Sequence, residues 1–167
     1  MKLLLNIIKE IVTESSVKDM DMMRFWSNSP KVTDISNTEQ IDEFMWYMID
    51  YMDFPYDGDY KRIKTFVKSL IRYGLIDIEF YNEMYRWLSH KLSDISTFEN
   101  EFQLSLDYVG GDDSYSDWKW HVLSLGKENF ERLKEGYDDT IEFVESIQPI
   151  ESFNYAWPHP YDLRRYN

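Results

Sequence analysis

Asp113, Asp117 and His121 follow one another at intervals of four residues in the stretch YVGGDDSYSDWKWH, residues 108–121. If that segment is helical, all three side chains share one face. Two carboxylates and an imidazole so placed could hold a divalent cation, or let a carboxylate orient the imidazole as a general base. The same residues also have a plainer use. Asp113 or Ser114 can cap a helix N-terminus, and Asp117 then becomes a first-turn carboxylate favoured by the helix dipole. A structural zinc wants about four N or S ligands, which this face does not offer. No metal site is therefore expected, and Asp113, Asp117 and His121 are the nearest approach to one.

Other constellations fail for specific reasons. The chain has no cysteine, so disulfide and thiolate chemistry are excluded. His90 and His159 have no partner at ligand spacing. In DFPYDGDY, residues 53–60, a glycine stands where a calcium loop wants one, but Pro55 replaces the third-position ligand and Lys64 the closing glutamate. Gly110-Gly111 has no Lys-Ser/Thr after it, and the neighbouring aspartates would repel a phosphate. No serine sits in a nucleophile elbow. No catalytic residue and no cofactor is assigned, which makes an enzyme the weakest class.

Charge is more informative. There are 31 acidic and 18 basic residues, a formal net charge of -13. Binding to a nucleic-acid backbone or an anionic lipid surface relies on Lys and Arg displacing counterions, so this balance argues against both as direct ligands. The charges are also segregated. Residues 37–59 hold seven carboxylates and no Lys or Arg, 92–118 seven and none, and 135–162 seven and none, whereas 60–76 hold five basic residues (Lys61, Arg62, Lys64, Lys68, Arg72) and no acid. One reading is solvated acidic faces near a single basic helix. The sharper one is a surface that imitates the regular charge of DNA.

The elements that must position these groups read as helices throughout. Helices are expected over 2–13, from Ser15 or Ser16 to Trp26, from an Asn37/Gln40 capping box through Met52, and from Asp59 to Tyr73 with Gly74 as a stop. Asp77 opens a helix over 77–92, and Ser96 with Glu99 repeats the capping-box pattern for a separate helix to Tyr108. Further helices run to Gly126, then to Gly136, and from Asp138 to Ile147. Phe44, Met48 and Tyr51 share one face, and Ile63, Phe66, Val67, Leu70 and Ile71 another, as core stripes do. Leu4, Ile7, Ile8 and Ile11 make the first helix amphipathic; its apolar run is too broken for an export signal, and a helix docked on the body is favoured over a membrane anchor. The C-terminal SFNYAWPHPYDLRRYN, with Trp157, Pro158 and Pro160, is expected to be an extended strap. The fold class is all-α: one compact domain of about seven or eight helices over 1–150, with 151–167 packed across it.

Residues 106–135, LDYVGGDDSYSDWKWHVLSLGKENFERLKE, resemble the core signature of the bacterial domain-of-unknown-function family 4240. In that family a glycine and Ser/Asp-Asp turn leads into an aromatic helix, followed by a Gly-Lys/Arg-Glu turn and a second aromatic-bearing helix. The matching positions are Gly110, Gly111, Asp112, Asp113, Tyr115, Trp118, Trp120, Leu123, Gly126, Lys127, Glu128 and Phe130. The chain departs from the pattern just upstream, where FENEFQLSL replaces an alanine-rich helix, and at Phe25-Trp26, which a proline loop follows. The resemblance implies an α-helical intracellular domain and supplies no catalytic residues.

The expected function is binding: an acidic module that neutralises or regulates a partner protein, of the immunity or phage counter-defence inhibitor type, with DNA mimicry as one version. The partner would be a protein, in particular a basic or nucleic-acid-binding one. Expected contact residues are Glu39, Asp42, Glu43, Asp50 and Asp53, then Asp107, Asp112, Asp113 and Asp117. The compartment is the cytoplasm, that of the host if the source is a phage. Alternatives are a structural subunit of a larger assembly, expected to show an apolar patch and a defined oligomer, and a metal-dependent enzyme using Asp117 and His121.

Overall fold

A computed structural model describes residues 17–53, 60–102, 112–139 and 153–163, and every regular element among them is helical. Helix α1 spans Val17–Asn28, α2 Thr38–Met52, α3 Tyr60–Arg72, α4 Ile78–Phe102, α5 Asp112–Ser124 and α6 Gly126–Glu135. Two single turns, α7 (Phe153–Ala156) and α8 (Pro160–Leu163), follow. The expected helices over 2–13 and 138–147 lie largely outside the described residues, as do Asp59 and the 108–111 turn.

Helix α2 runs through the core. Its buried positions, Ile41, Phe44, Met45, Met48, Ile49 and Met52, recur at intervals of three and four, and Trp46 adds a second buried edge. Fully burying each such side chain stabilises by roughly 1.5–3 kcal/mol, which makes this pattern the main reason for the helix. Its N-terminus is capped as expected: the Asn37 side chain accepts from the backbone N–H groups of Glu39 and Gln40 at 3.0 and 3.2 Å. The capping box is only half formed. Gln40 turns instead to the preceding loop, where its Oε1 accepts from the N–H groups of Thr33 and Asp34 at 2.8 and 3.2 Å. At the other end Asp53 takes a left-handed conformation, φ 47, and Arg62 of α3 donates to the Met52 carbonyl at 2.7 Å.

Helix α3 buries Ile63, Val67, Leu70 and Ile71 and stops at Gly74, φ 65. It packs on α1 and α7. Asp77 opens α4, its Oδ1 accepting from the Phe80 N–H at 2.8 Å. Here the structure departs from the expectation of two helices over 77–108. Helix α4 continues without a break to Phe102. The Ser96 hydroxyl, expected to cap a new helix, donates back to the Leu92 carbonyl at 3.3 Å. The reason is packing: Tyr81, Met84, Leu88, Ile95 and Phe98 form one buried stripe, and no glycine or proline interrupts it. At about 37 Å, α4 is the spine against which α2, α5, α6 and α8 pack.

Residues 153–163 lie on the body by means of helical turns, where the sequence suggested extended chain. Phe153, Ala156, Trp157 and Leu163 are buried, and the buried Tyr81 hydroxyl donates to the Pro158 carbonyl at 2.6 Å. Pro160 starts α8, because a proline in the first turn forfeits no helical hydrogen bond.

Candidate functional site

Asp42 on α2 faces α4, where Trp87 and Lys91 stand one helical turn apart. Its Oδ1 accepts from Trp87 Nε1 at 2.8 Å and from Lys91 Nζ at 2.9 Å, and its Oδ2 lies 3.8 Å from Lys127 Nζ at the start of α6. The Lys91 ammonium is also surrounded by rings, 5.6 Å from the centroid of Trp46, 5.5 Å from Trp87 and 5.4 Å from Phe130. Three aromatic faces and a carboxylate make a cage for a cation, and lysine of the same chain fills it. The Lys91 side chain is 18% exposed and that of Asp42 27%. Burial pushes the Asp42 carboxyl up, but the hydrogen bonds from Lys91 and Trp87 and the charges of Lys91 and Lys127 outweigh it and hold the pKa below its ordinary value.

The same cluster fixes α6. Gly126 adopts φ 86, and a Cβ there would collide with an Asp50 carboxylate oxygen. Asp50 accepts from the Lys127 backbone N–H, so α2 supplies the cap that Leu125, the preceding residue, lacks. Partial burial raises the Asp50 pKa, more than the Lys127 N–H and ammonium lower it.

Beside the cage opens a groove of about 600 Å3 between α2 and α4. Ile35, Ile41 and Trp87 give it an apolar lining; Glu39, Asp42, Glu83, Asp94, Arg86, His90 and Lys91 give it charge. Arg86 is paired with Glu83 and Lys91 with Asp42. Glu39 and Asp94, on opposite walls, make no ion pair among the described residues. The groove is therefore apolar inside and net negative.

The residues expected from sequence to bind a partner separate accordingly. Glu39 and Asp42 both line the groove, but Asp42 is held by its internal partners. Glu43 and Asp53 are exposed, and Asp50 serves as the cap of α6. Asp107 lies outside the described residues, as do the side chains of Asp112 and Asp113, whose backbone begins α5; Asp117 is half-buried and makes an interaction of its own.

His121 is wholly buried, and neither ring nitrogen has a hydrogen-bond partner among the described residues. Burial lowers its pKa, favouring the neutral imidazole. Among the described residues no group of three or more His, Asp or Glu side chains could hold a metal together. His90, which the expected helix over 77–92 would put near its end, lies within the longer α4, exposed on the groove wall. Trp118 is buried and Trp120 half-buried, the split that their two-residue spacing requires.

Sequence reasoning missed Lys91, Trp46, Trp87 and Phe130. Lys91 is 49 positions from Asp42, and nothing local marks it. The only available signal was the Trp87/Lys91 spacing of four in an otherwise mixed helix.

The chain matches no protein-family model, no curated protein and no solved structure. None of the described helices is long and apolar enough to cross a membrane.

Proposed function

We propose that the protein is an acidic protein-binding module whose α2/α4 groove receives a basic, apolar-anchored segment of a partner protein. The observation that supports this reading most is the pair Glu39 and Asp94. They stand on opposite walls of a groove lined by Trp87 and Ile41, uncompensated by cations, while the neighbouring charges are already paired. A partner's Lys or Arg entering there gains attraction without displacing an existing ion pair, and its apolar neighbour gains contact with Trp87. Occupation of the groove would block a basic functional surface on the partner, which is how a neutralising protein of the immunity or counter-defence kind works. A groove-centred contact is better supported than an extended DNA-like row of charge, because Asp42 and Asp50 serve the fold itself.

Selection from a displayed library of random peptides tests this. Sequences with Lys or Arg next to an apolar residue are expected to be enriched, and their affinity should fall tenfold or more in Glu39→Lys/Asp94→Lys, about 1.4 kcal/mol or more. Enrichment of neutral or acidic peptides, or affinity indifferent to these substitutions, would sink the reading.

A further inference from the structure

Most described cations of this acidic chain outside α3 are matched to carboxylates: Arg86 to Glu83, Lys91 and Lys127 to Asp42, Arg132 to Asp139 and Lys134 to Glu131. Helix α3 differs. Lys61, Lys64, Lys68 and Arg72 recur at intervals of three, four and four, which puts them on the face opposite the buried Ile63, Val67 and Leu70. Lys61 and Arg72 are exposed, and neither they nor Lys64 makes an ion pair among the described residues; Lys68 shares the ridge and makes an interaction of its own. The four side chains extend over about 16 Å, in steps of about 4.5, 6 and 6 Å.

A ridge of this length suits a short anion with matching rungs. Nucleic acid would run past its ends onto a protein carrying -13. A helix with carboxylates at intervals of three and four, spanning about 10.5 Å, can pair with part of the ridge and stop within it. This chain contains one. On α6, Glu128, Glu131 and Glu135 recur at intervals of three and four, opposite the buried Phe130 and Leu133. Glu128 and Glu135 are exposed and without a cationic partner among the described residues; Glu131 has Lys134 at 3.9 Å.

We infer that the α3 ridge of one molecule docks on the α6 ridge of a second copy, a surface separate from the groove. Exposed ion pairs contribute about 0–1 kcal/mol each, so the association is weak and set by salt. At about 0.1 M the Debye length is about 10 Å, which screens the repulsion between remote acidic faces while leaving contact pairs; at about 1 M it is about 3 Å and the pairs fail too.

Sedimentation of the full chain provides the test. The wild type is expected to associate reversibly at about 0.1 M salt, with affinity tenfold or more weaker at about 1 M. Lys61→Glu/Lys64→Glu and Glu128→Lys/Glu135→Lys should each be monomeric alone, and an equimolar mixture should associate again, because the reversed ridges then complement one another. A wild type that stays monomeric at about 1 mM, reversal variants that associate like wild type, or a mixture that stays monomeric would overturn the inference. So would a monomeric wild type whose α3 ridge binds a single-stranded oligonucleotide. Should a reversal variant lose its helical circular dichroism, Lys61→Gln/Lys64→Gln and Glu128→Gln/Glu135→Gln replace it, each expected to weaken association at least threefold; an unchanged affinity in both counts against the docking.

Discussion

Two polar centres lie inside this helical body, and they are built in opposite ways. At the α2/α4/α6 junction, Asp42 holds an ammonium and an indole N–H, and the ammonium sits among three rings. In α5, His121 is equally surrounded but makes no hydrogen bond with either nitrogen among the described residues. The first is a closed network, in which each member depends on the others. The second is a buried polar group without such partners among the described residues. A buried polar group with its partners resists removal, whereas one without them costs the fold the energy of its desolvation.

The largest expected effect of breaking the contrast is at Lys91. Lys91→Ala leaves Asp42 partly buried without its main partner and empties the cage, for a loss of about 2–4 kcal/mol in urea denaturation. Lys91→Ala/Asp42→Ala should cost less than the sum of the single changes, by about 1 kcal/mol or more. Strict additivity would mean that the pair is incidental.

Gly126→Ala comes next, at about 1–3 kcal/mol, because φ 86 strains an alanine and its Cβ displaces the Asp50 carboxylate. Asp50→Ala alone loses the cap and should cost about 0.5–2 kcal/mol. In the Asp50→Ala background, Gly126→Ala should cost less than in the wild type, since the clash is gone and only the strain is left. Thermal denaturation of the four proteins measures this.

His121→Leu is expected within about 1 kcal/mol of wild type at neutral pH, on the stabilising side, because it removes an unsatisfied buried group. Its clearer signature is pH. With the folded pKa of His121 below its ordinary 6.5, the unfolded chain binds more protons as pH falls through 6.5, so wild-type stability is full above that point and declines below it. The variant should lack this part of the decline. If its stability between pH 6.5 and 5 follows the wild type, His121 is not the group that titrates. Asp42, whose folded pKa is lowered, contributes stability that is present above its ordinary 3.8 and lost as pH falls through the folded value.

Smallest is Asp50→Asn. The raised pKa of Asp50 means that the folded state holds its proton more tightly, so that contribution is present below 3.8 and disappears as pH rises through the folded value. Asparagine caps about as well as aspartate, so the variant should match the wild type at neutral pH to within about 0.5 kcal/mol. It should also show a flatter stability profile just above pH 4 in a guanidinium titration series.

Much of the fold was legible because its signals are local. Asn37 and Asp77 begin helices through their side chains, Gly74 and Gly136 end them because lacking one permits positive φ, and the periodicity of Phe44, Met48, Ile63 and Val67 places those residues in the core. Ser96 misled because a cap signal about 1 kcal/mol in size competes with a buried stripe worth several times as much. The prolines of the C-terminal segment suggested extended chain, whereas proline also starts a helical turn. Asp117 and His121 drew attention through their spacing, yet spacing does not tell whether a face is wet, and α5 turns His121 into the core.

The sequence by itself determined the helical class, most helix ends, the acidic surface and the separation of one basic helix, since each follows from neighbours within a few positions. The tertiary structure decided which charges are already answered. Only the packing of α4 and α6 on α2 brings Lys91 and Phe130 to Asp42 and Trp46 and leaves Glu39 and Asp94 open across a groove. Coulombic and cation-π attractions act over a few ångströms of space, and no spacing along the chain measures that distance.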